Sequence, residues 1–386
     1  MEQNAIVTQA MQRLAATGNA MPGMRVALVH YWLVGMRGGE RVLERLLQLF
    51  PEADIFTHVY DPAAVSSAIR ARTVRTSFIQ HLPRARQWYQ KYLPLMPMAL
   101  EHLDLRGYDL VISSESGPAK GVIAPPDALH VCYCHSPMRY LWDHFHEYRD
   151  NAGLASRLTM PLVFPGLRQW DDACASRVDR IVANSQFIRK RIRRVWGRES
   201  EVVHPPVPVA EYGAAHEVGD FYLWVGQMTR YKRADLALEA FNRLKLPLVM
   251  VGTGDLEQQL RAQAGPNVTI VSKLNFADLK KAYGSCKALI FTAEEDFGIV
   301  PVEANASGRP VIAYGRGGVC DSILPETTGL FFDEQTPEAL IAAVERFEAW
   351  QGAFDPAAAR ANAARFAPEK FDEGMLLQVA KGLLAQ

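Results

Sequence analysis

Short apolar runs alternate with helix-like stretches along most of this 386-residue chain. Continuous apolar strands separated by helices are typical of parallel sheets that are covered on both faces. A first series of strand candidates lies at residues 25–31, 109–114, 130–135 and 180–185, and a second at 221–226, 246–252, 267–272, 289–293 and 310–314. The pattern predicts an α/β protein with two doubly wound domains, whose ligands bind in a crevice at the carboxyl ends of the strands.

The chain is too long for one ordinary hydrophobic core and suits two domains. Residues 204–220, between the two strand series, are rich in proline, glycine and small side chains, which predicts a linker. We therefore expect a first domain over 24–212 and a second over 213–366. Residues 1–23 lack the charged start and apolar core of a signal peptide, so we interpret them as a short, poorly ordered extension, with Met24 as an alternative start.

Charge and cysteine content exclude several classes of protein. Lys+Arg and Asp+Glu number 42 each, so no overall field favours nucleic acid. The five cysteines are scattered and odd in number, which favours free thiols in a reducing compartment. No apolar run approaches the ~20 residues of a membrane-spanning helix. Cys132 and Cys134 form the only close cysteine pair, without the second pair or histidines of a structural metal site, so we expect no metal.

The stretch EEDFGIVPVE, residues 294–303, follows a predicted strand and leads into a helix. Pro301 suits the first helical turn, so Gly298 and the amides after it form a helix N-terminus that could bind a phosphate. Glu303, one turn into the helix, could accept hydrogen bonds from the vicinal hydroxyls of a ribose, and Glu295 could do the same for a sugar. Alternatively, both are solvated acids near a helix start, where acids are favoured.

Two other loops follow predicted strands. In VGQMTRYKR, Arg230 and Lys232 could neutralise a diphosphate, although a solvated basic turn is the simpler interpretation. In VGMRGGER, Gly38 and Gly39 allow the backbone to approach a ligand closely, or simply make a turn. Neither the dinucleotide-binding fingerprint nor the P-loop lysine pattern is present, which disfavours a plain dehydrogenase.

His135 ends a predicted strand in CYCHSPMRYLWD and is followed by Arg139. A histidine beside the cleft could hydrogen-bond a sugar, or it could be a structural histidine with its partners inside the protein.

Residues 62–100 contain no Asp or Glu but several cations interleaved with aromatic residues. This asymmetry fits a membrane surface or an anionic lipid acceptor better than nucleic acid, and a solvated cationic face is the alternative. The residues that we expect to contact the acceptor or membrane, with Arg139 added, are Arg70, Arg72, Arg75, Arg84, Arg86, Trp88, Lys91 and Arg139.

Five segments together resemble the retaining glycosyltransferases of family four, which have the GT-B fold of two Rossmann-like domains facing across a cleft. They include the E-x7-E signature of that family, occur in its order and span about residues 24–372. The segments lie at 134–143, 178–192, 202–207, 225–233 and 294–318. Within the family, the chain looks most like bacterial mannosyltransferases of surface-polysaccharide assembly.

The resemblance implies a role for each matching residue. Glu303 would hold the ribose hydroxyls of the nucleotide, and Glu295 would contact the donor sugar. Lys232 would pair with the diphosphate, and His135 would lie beside the reacting sugar. The remaining donor-binding positions would be Gly38, Gly39, Arg230, Phe297, Gly298 and Ile299. The family usually has arginine where Gln227 stands, so Gln227 cannot supply the charge expected there, and Arg230 is the candidate to replace it.

The implied reaction transfers a hexose, by likeness a mannose from GDP-mannose, to a polyprenyl-linked saccharide, with retention of configuration and without a metal or other cofactor. The resemblance also implies a cytoplasmic enzyme held peripherally at the inner face of the plasma membrane, with a last helix, over 367–386, that crosses back to the first domain. Two alternatives remain from the sequence: a nucleotide-sugar epimerase of similar architecture, and a non-catalytic sugar- or lipid-binding partner.

Overall fold

The protein contains two parallel sheets. In each of them, the strand that comes first in the sequence lies in the interior, with later strands on both sides. In this computed structural model, which describes residues 2–150, 152–213 and 216–385, the chain divides into two units. The first runs to Pro206 and resumes at Phe371, and the second is Val207–Lys370. The division lies earlier than the predicted boundary at 212, because the Val207 amide donates to the Phe366 carbonyl (2.9 Å) inside the second unit.

The described strands of the first unit form one seven-stranded, wholly parallel sheet. Its strands are β1 (Val26–His30), β2 (Asp54–Thr57), β3 (Val74–Thr76), β4 (Leu110–Glu115), β5 (Leu129–Cys134), β6 (Arg180–Ala183) and β7 (Glu201–Val202). The order is β3-β2-β1-β4-β5-β6-β7. The direction of winding reverses between β1 and β4, so the loops after these strands flank the topological switch point, where ligands of open α/β sheets bind.

The helices of the first unit before residue 206 are α1 (Glu2–Thr17), α2 (Gly38–Leu49), α3 (Ser67–Arg70), α4 (Ala85–Trp88), α5 (Met96–Glu101), α6 (Phe145–Asp150), α7 (Leu154–Ser176) and α8 (Gln186–Trp196). The prediction of a poorly ordered extension before Met24 is wrong, because α1 is a helix. Val7, Met11 and Leu14 recur at helical spacing and pack against the core of the unit.

The second unit repeats the arrangement with six parallel strands. They are β8 (Tyr222–Val225), β9 (Leu248–Val251), β10 (Val268–Val271), β11 (Leu289–Phe291), β12 (Val311–Tyr314) and β13 (Gly329–Phe332), in the order β10-β9-β8-β11-β12-β13. The helices are α9 (Ala234–Leu244), α10 (Glu257–Gln263), α11 (Phe276–Ser285), α12 (Ile299–Ala306), α13 (Val319–Ser322), α14 (Pro337–Trp350) and α15 (Pro356–Ala363). Here the switch point lies between β8 and β11.

The last helix, α16 (Pro368–Leu383), contributes its apolar face to the core of the first unit. Phe371, Met375 and Val379 are all buried there. Asp372, 1% exposed in its side chain, accepts from the Arg45 guanidinium of α2 through both carboxylate oxygens, with 2.8 Å between Arg45 Nε and Oδ1. None of the described helices combines the length and apolarity that crossing a membrane requires.

A buried charge cluster lies at the end of β4. Glu115, Lys120 and Asp171 are each fully buried. The Lys120 ammonium contacts Asp171 Oδ1 and lies 3.7 Å from Glu115 Oε1, and the indole nitrogens of Trp142 and Trp196 each donate to Asp171 Oδ2 at 2.8 Å. Burial raises the pKa of Glu115 to about 7 although Lys120 opposes the shift. The carboxyl is therefore more readily protonated in the folded protein than in the unfolded chain.

This shift predicts that Glu115 makes the first unit less stable as the pH rises. Because the folded pKa of about 7 exceeds the ordinary 4.5, its stabilising contribution is complete below pH 4.5 and is lost as the pH rises through 7. Glu115→Gln, which resembles the protonated form, should match the wild type at pH 4.5 and exceed its free energy of unfolding at pH 8 by on the order of 2 kcal/mol. Urea denaturation at both pH values measures this.

The control is Glu52→Gln, which changes an exposed carboxylate of the same unit and should leave the pH dependence as it is. A Glu115→Gln protein that is less stable than the wild type at pH 8 would contradict the prediction, since it would show that the ionised carboxylate is needed by Lys120.

Candidate active site

The loops after β8 and β11 come together in the second unit. The Lys232 ammonium forms an ion pair with Glu295 Oε1, and the two side chains are 17% and 20% exposed. The Thr292 hydroxyl, at the end of β11, donates to the Lys232 carbonyl (2.8 Å), which joins the two loops a second time. Because β8 and β11 are neighbours at the switch point, the predicted diphosphate cation and the predicted sugar carboxylate lie side by side.

The loop that carries Glu295 rests on two glycines that follow β12. The Gly318 amide donates to the Glu295 carbonyl (2.8 Å). Gly317 has a φ of +83°, and a Cβ atom there would lie 2.5 Å from the same carbonyl oxygen. A Cβ atom on Gly318 would lie 2.3 Å from the Asp296 carbonyl oxygen and from the Phe297 Cα. Both positions therefore require glycine for the loop to pack as it does.

Helix α12 begins directly after this loop. Gly298 caps it with a φ of +84°, and Ile299 and Pro301 lie in its first turn. The first amides of a helix have no acceptor within it and carry the positive end of the helix dipole, so they suit an anionic ligand. Phe297 differs from its neighbours, because its side chain is only 4% exposed and packs against Phe366 with ring centroids 5.4 Å apart. It can therefore offer a ligand its backbone but not its ring.

Glu303 is a buried carboxylate with two tyrosine partners rather than a solvated acid. Its residue is 8% exposed. Tyr212 donates to Oε1 at 2.8 Å, and Tyr283, on α11, donates to Oε2 at 2.7 Å. Burial and the charge of Glu303 raise the pKa of Tyr283 well above its usual range, so this phenol remains a donor. Since each carboxylate oxygen can accept more than one hydrogen bond, Glu303 keeps acceptor capacity for a further donor.

The remaining predicted residues of the second unit lie on the loop after β8. Gln227 is exposed, and its carbonyl accepts from the Thr229 amide at 2.8 Å. Arg230 is also exposed and opens the single 3₁₀ turn Arg230–Lys232. Gln227 and Arg230 therefore share one short loop with Lys232.

In the first unit, the switch point brings together residues from β1, β4 and β5. The Ser114 hydroxyl lies 2.9 Å from His135 Nε2 and 3.1 Å from His30 Nδ1. His30 Nε2 lies 3.6 Å from Glu40 Oε1, in the first turn of α2. Burial lowers the pKa of His135 to about 3, so this imidazole is neutral at physiological pH.

Helix α2 starts at Gly38, which is exposed, and the next residue, Gly39, is half-buried. A Cβ atom on Gly39 would lie 2.5 Å from the Tyr31 hydroxyl oxygen and 3.4 Å from His30 Cε1. Gly39 therefore allows α2 to approach the end of β1 closely.

The acid-free window, residues 62–100, is partly neutralised by the protein itself. Arg75 lies 3.5 Å from Asp54, Arg86 lies 3.4 Å from Asp61, and Arg70 donates to the carbonyls of Pro62 and Val65 at 3.3 Å each.

The other predicted surface residues differ in exposure. Arg84 and Lys91 are exposed and lie over the Trp88 ring, 4.9 and 4.5 Å from its centroid. Arg72 and Arg139 are half-buried. The exposed cationic character of the window is therefore concentrated around Trp88.

Sequence reasoning missed five residues that contact predicted ones either directly or through a neighbouring side chain. Tyr212 and Tyr283 donate hydrogen bonds to Glu303. Ser114 contacts His135, His30 contacts Ser114, and Glu40 lies near His30. His30 and Ser114 had a usable signal, because each is a polar residue at the carboxyl end of a predicted strand. The tyrosines had none. Within the described residues, no group of three or more His, Cys, Asp or Glu side chains could hold a metal ion.

Comparison with known proteins identifies the family of this chain. A family model described as Glycosyltransferase Family 4 matches residues 36–211, and one described as Glycosyl transferases group 1 matches residues 214–365. In the structure of Anabaena Alr3699/HepE in complex with UDP, the fold is similar with a TM-score of 0.66 at 15% identity, over 94% of this chain and 100% of that chain.

Several mannosyltransferases are similar in sequence. The O-antigen chain mannosyltransferase C of Escherichia coli is 31% identical over 44% of this chain, although the match spans only 48% of that protein. The alpha-1,3/1,6-mannosyltransferase ALG2 of Mus musculus is 26% identical over 81% of this chain and 85% of that protein. A GDP-mannose-dependent alpha-mannosyltransferase of Mycolicibacterium smegmatis is 30% identical over 58% of this chain and 63% of that protein. This chain therefore belongs to the family-four glycosyltransferases and is a mannosyltransferase-like enzyme of GT-B fold.

Proposed function

We propose that the chain transfers mannose from GDP-mannose to a polyprenyl-linked saccharide, with retention of configuration, during assembly of a bacterial surface polysaccharide. The observation that carries the proposal is the Lys232–Glu295 pair next to the start of α12, one turn from the buried Glu303. Similarity to a GDP-mannose-dependent enzyme and to an O-antigen enzyme supports the choice of donor and pathway. Because both family models describe glycosyltransferases, we favour a transferase over the epimerase and the non-catalytic binding protein.

In the proposed donor complex, the second unit holds the nucleotide sugar. Glu303 accepts from the ribose hydroxyls through the lone pairs that the two tyrosines leave open. The diphosphate lies at the first turn of α12 and pairs with Lys232. Lys232 then gives up part of its contact with Glu295, and the released carboxylate accepts from hydroxyls of the sugar. The ion pair therefore keeps both side chains in place until the donor arrives.

In the proposed transfer step, the bond between the anomeric carbon and the diphosphate oxygen breaks as the acceptor oxygen bonds to the same face of the sugar. The acceptor proton passes to the departing diphosphate, which leaves as GDP. Lys232 and the amides of α12 stabilise the negative charge that develops on the leaving group, and such preorganised electrostatic stabilisation is usually the largest single contribution to catalysis. We assign to His135 the role that the family resemblance implies, beside the sugar that is transferred.

Nucleotide binding tests the donor site directly. Among GDP, UDP, ADP and dTDP, we expect GDP alone to raise the melting temperature by several degrees, since a ligand at ~100 times its Kd adds about 2.7 kcal/mol of stability. Glu303→Gln and Tyr283→Phe should both weaken this stabilisation, because each disturbs the carboxylate that binds the ribose. Differential scanning fluorimetry measures the shifts. An equal shift with UDP would contradict the choice of GDP.

Steady-state kinetics should distinguish the proposed roles of Glu295 and Glu303. Glu295→Gln should lower kcat by at least tenfold with little loss of GDP stabilisation, whereas Glu303→Gln should mainly raise the KM for the donor. The control is Glu294→Gln, which changes the neighbouring carboxylate of the same loop and should alter neither quantity. The reverse pattern for Glu295 and Glu303 would refute the assignment of their roles.

Chelation tests the proposal that no metal takes part. The diphosphate charge is assigned to Lys232, Arg230 and the helix dipole, so turnover should persist in excess EDTA. Loss of turnover that Mg²⁺ restores would overturn this assignment. The measurement is release of GDP in the presence of acceptor, with and without the chelator.

The first unit presents a surface suited to an anionic membrane. Leu154, Leu158 and Leu162 follow one another at four-residue spacing on α7 and are 76%, 66% and 82% exposed. We call them the leucine ridge. Residues 152–170 contain no Asp or Glu, and the same is true of the acid-free window. Such an exposed apolar row beside cations suits a lipid interface.

The two acid-free segments touch. Leu93, from the acid-free window, packs against the cluster that includes Met160 and Phe164 of α7. Lys91, two residues earlier, lies over Trp88, an arrangement of cation and aromatic ring that suits the headgroup region. We therefore propose that the chain is a cytoplasmic protein held peripherally at the inner face of the plasma membrane by the leucine ridge and the Trp88 cations.

Vesicle flotation tests this surface. The wild type should float with vesicles that contain phosphatidylglycerol, but not with purely zwitterionic ones, and salt should weaken the binding. Replacing the three ridge leucines by Asn should reduce the bound fraction severalfold, while Leu324→Asn, which changes an exposed leucine of the second unit, should not. Unchanged flotation of the ridge variant would refute the proposal.

A further inference from the structure

Four side chains of the first unit form a row that leads to His135. His30 and Ser114 are register partners on the adjacent strands β1 and β4, and His135 follows β5, the next strand of the sheet. Glu40 closes the row from α2. His30, Ser114 and Glu40 are 0%, 1% and 3% exposed, so water does not compete for their contacts. We call these four residues the His–Ser row.

The Ser114 hydroxyl has one proton, and this limits how the row can be arranged. The hydroxyl can donate to only one of its two imidazole neighbours and must accept from the other. If it donates to His30 Nδ1, then it accepts from His135 Nε2–H. If it donates to His135 Nε2, then it accepts from His30 Nδ1–H. The serine therefore couples the tautomer of one histidine to the protonation of the other.

Glu40 determines which arrangement goes with which charge. Its carboxylate lies 3.6 Å from His30 Nε2 and favours a proton on that nitrogen. Burial opposes ionisation of Glu40, but the attraction of the nearby His30 outweighs it, so the pKa of Glu40 is lowered. Neutral His30 then has its proton on Nε2 and a bare Nδ1, which accepts from Ser114. Protonated His30 has protons on both nitrogens and donates to Ser114.

We propose that Glu40, His30 and Ser114 are positioning residues that decide whether His135 offers its Nδ1 as an acceptor or as a donor to the transferred sugar. With neutral His30, His135 holds its proton on Nε2 and Nδ1 accepts from a sugar hydroxyl. When His30 gains a proton, the row reverses and His135 Nδ1 becomes a donor. Nδ1 has no hydrogen-bond partner among the described residues, so it is available to a ligand.

The inference rests on the proposed function for the contact between His135 and the sugar, but the row itself does not. Charged and titratable groups near His30 and Tyr31 influence the pH at which the row reverses, because they act on the charge of His30. Besides the row itself, the neighbouring groups are Tyr31, whose ring lies 4.1 Å from that of His30, together with Arg37 and Glu115, which interact with Tyr31.

Imidazole ¹⁵N NMR of the full-length protein, labelled at histidine, tests the coupling directly. With the His135 signals assigned from a His135→Gln sample, the proton should lie on Nε2 at pH 8 and move to Nδ1 as the pH is lowered. Ser114→Ala should abolish this pH-dependent exchange. A His135 tautomer that stays the same at every pH at which the wild type remains folded would overturn the proposal.

The chain provides a matched control. The Ser113 hydroxyl, also on β4, lies 2.9 Å from Nε2 of the buried His130 on β5, and neither residue belongs to the row. Ser113→Ala removes the same kind of bond between the same two strands and should leave the exchange at His135 unchanged. If Ser113→Ala abolished it too, the effect would come from damage to the sheet, and the proposal would fall.

Kinetics connect the row to turnover. In the wild type, kcat/KM for GDP-mannose should fall as the pH is lowered, and this acidic limb should be absent in Ser114→Ala but present in Ser113→Ala. An acidic limb that persists in Ser114→Ala would overturn the link between the His–Ser row and the sugar. If GDP still stabilised the protein in that case, the proposed function would be unaffected. If the NMR experiment showed coupled tautomers but no nucleotide stabilised the protein, the coupling within the His–Ser row would be supported and the proposed function refuted.

Discussion

Lys232 and Glu295 are 63 residues apart in sequence and form one ion pair because β8 and β11 are neighbours in a parallel sheet. The carboxyl ends of parallel strands lie along one edge, and at the switch point the loops on either side diverge and leave room for a ligand. The first unit obeys the same constraint when it places His30 and Ser114 beside His135. Each group of candidate residues is thus a consequence of strand order rather than of local sequence.

The buried carboxylate of Glu303 has two partners, and this contact explains two tyrosines that otherwise have no role. Glu303 needs donors because an unpaired buried carboxylate is costly, and Tyr212 and Tyr283 supply them without adding charge. A lysine in either place would have neutralised the carboxylate and competed with a ribose for it. Tyrosine leaves Glu303 negative and fixed in position, which suits a group that must accept hydrogen bonds from a neutral ligand.

The fold was largely predictable from sequence because the central strands are buried on both faces and therefore read as continuous apolar runs. All nine predicted strands are present, and four were missed. Nothing in the sequence analysis accounts for the omission of β2, whereas the other three have physical reasons. β3 and β7 are short edge strands with exposed positions, and β13 begins with Gly329, which resembles a turn. A Cβ atom on Gly329 would lie 2.2 Å from the Val311 carbonyl oxygen, so the glycine reflects close strand packing.

The candidate site was predictable only where its residues follow strands or match a family motif. Glu295, Lys232 and His135 met one of these conditions. Tyr212 lies in a 3₁₀ turn inside the predicted linker and Tyr283 lies within α11, and no local pattern connects either tyrosine to Glu303. Such contacts depend on tertiary packing, which a single sequence does not reveal.

Gln227 poses the remaining electrostatic question for the proposed donor complex. A nucleotide diphosphate brings about two negative charges, while Lys232 supplies one positive charge and the α12 N-terminus roughly half of one. Arg230 shares the loop with Gln227 and has an exposed, permanently charged guanidinium that can bind phosphate through two donors. In the proposed donor complex, we therefore assign to Arg230, three residues further along the same loop, the charge that the family usually places at position 227.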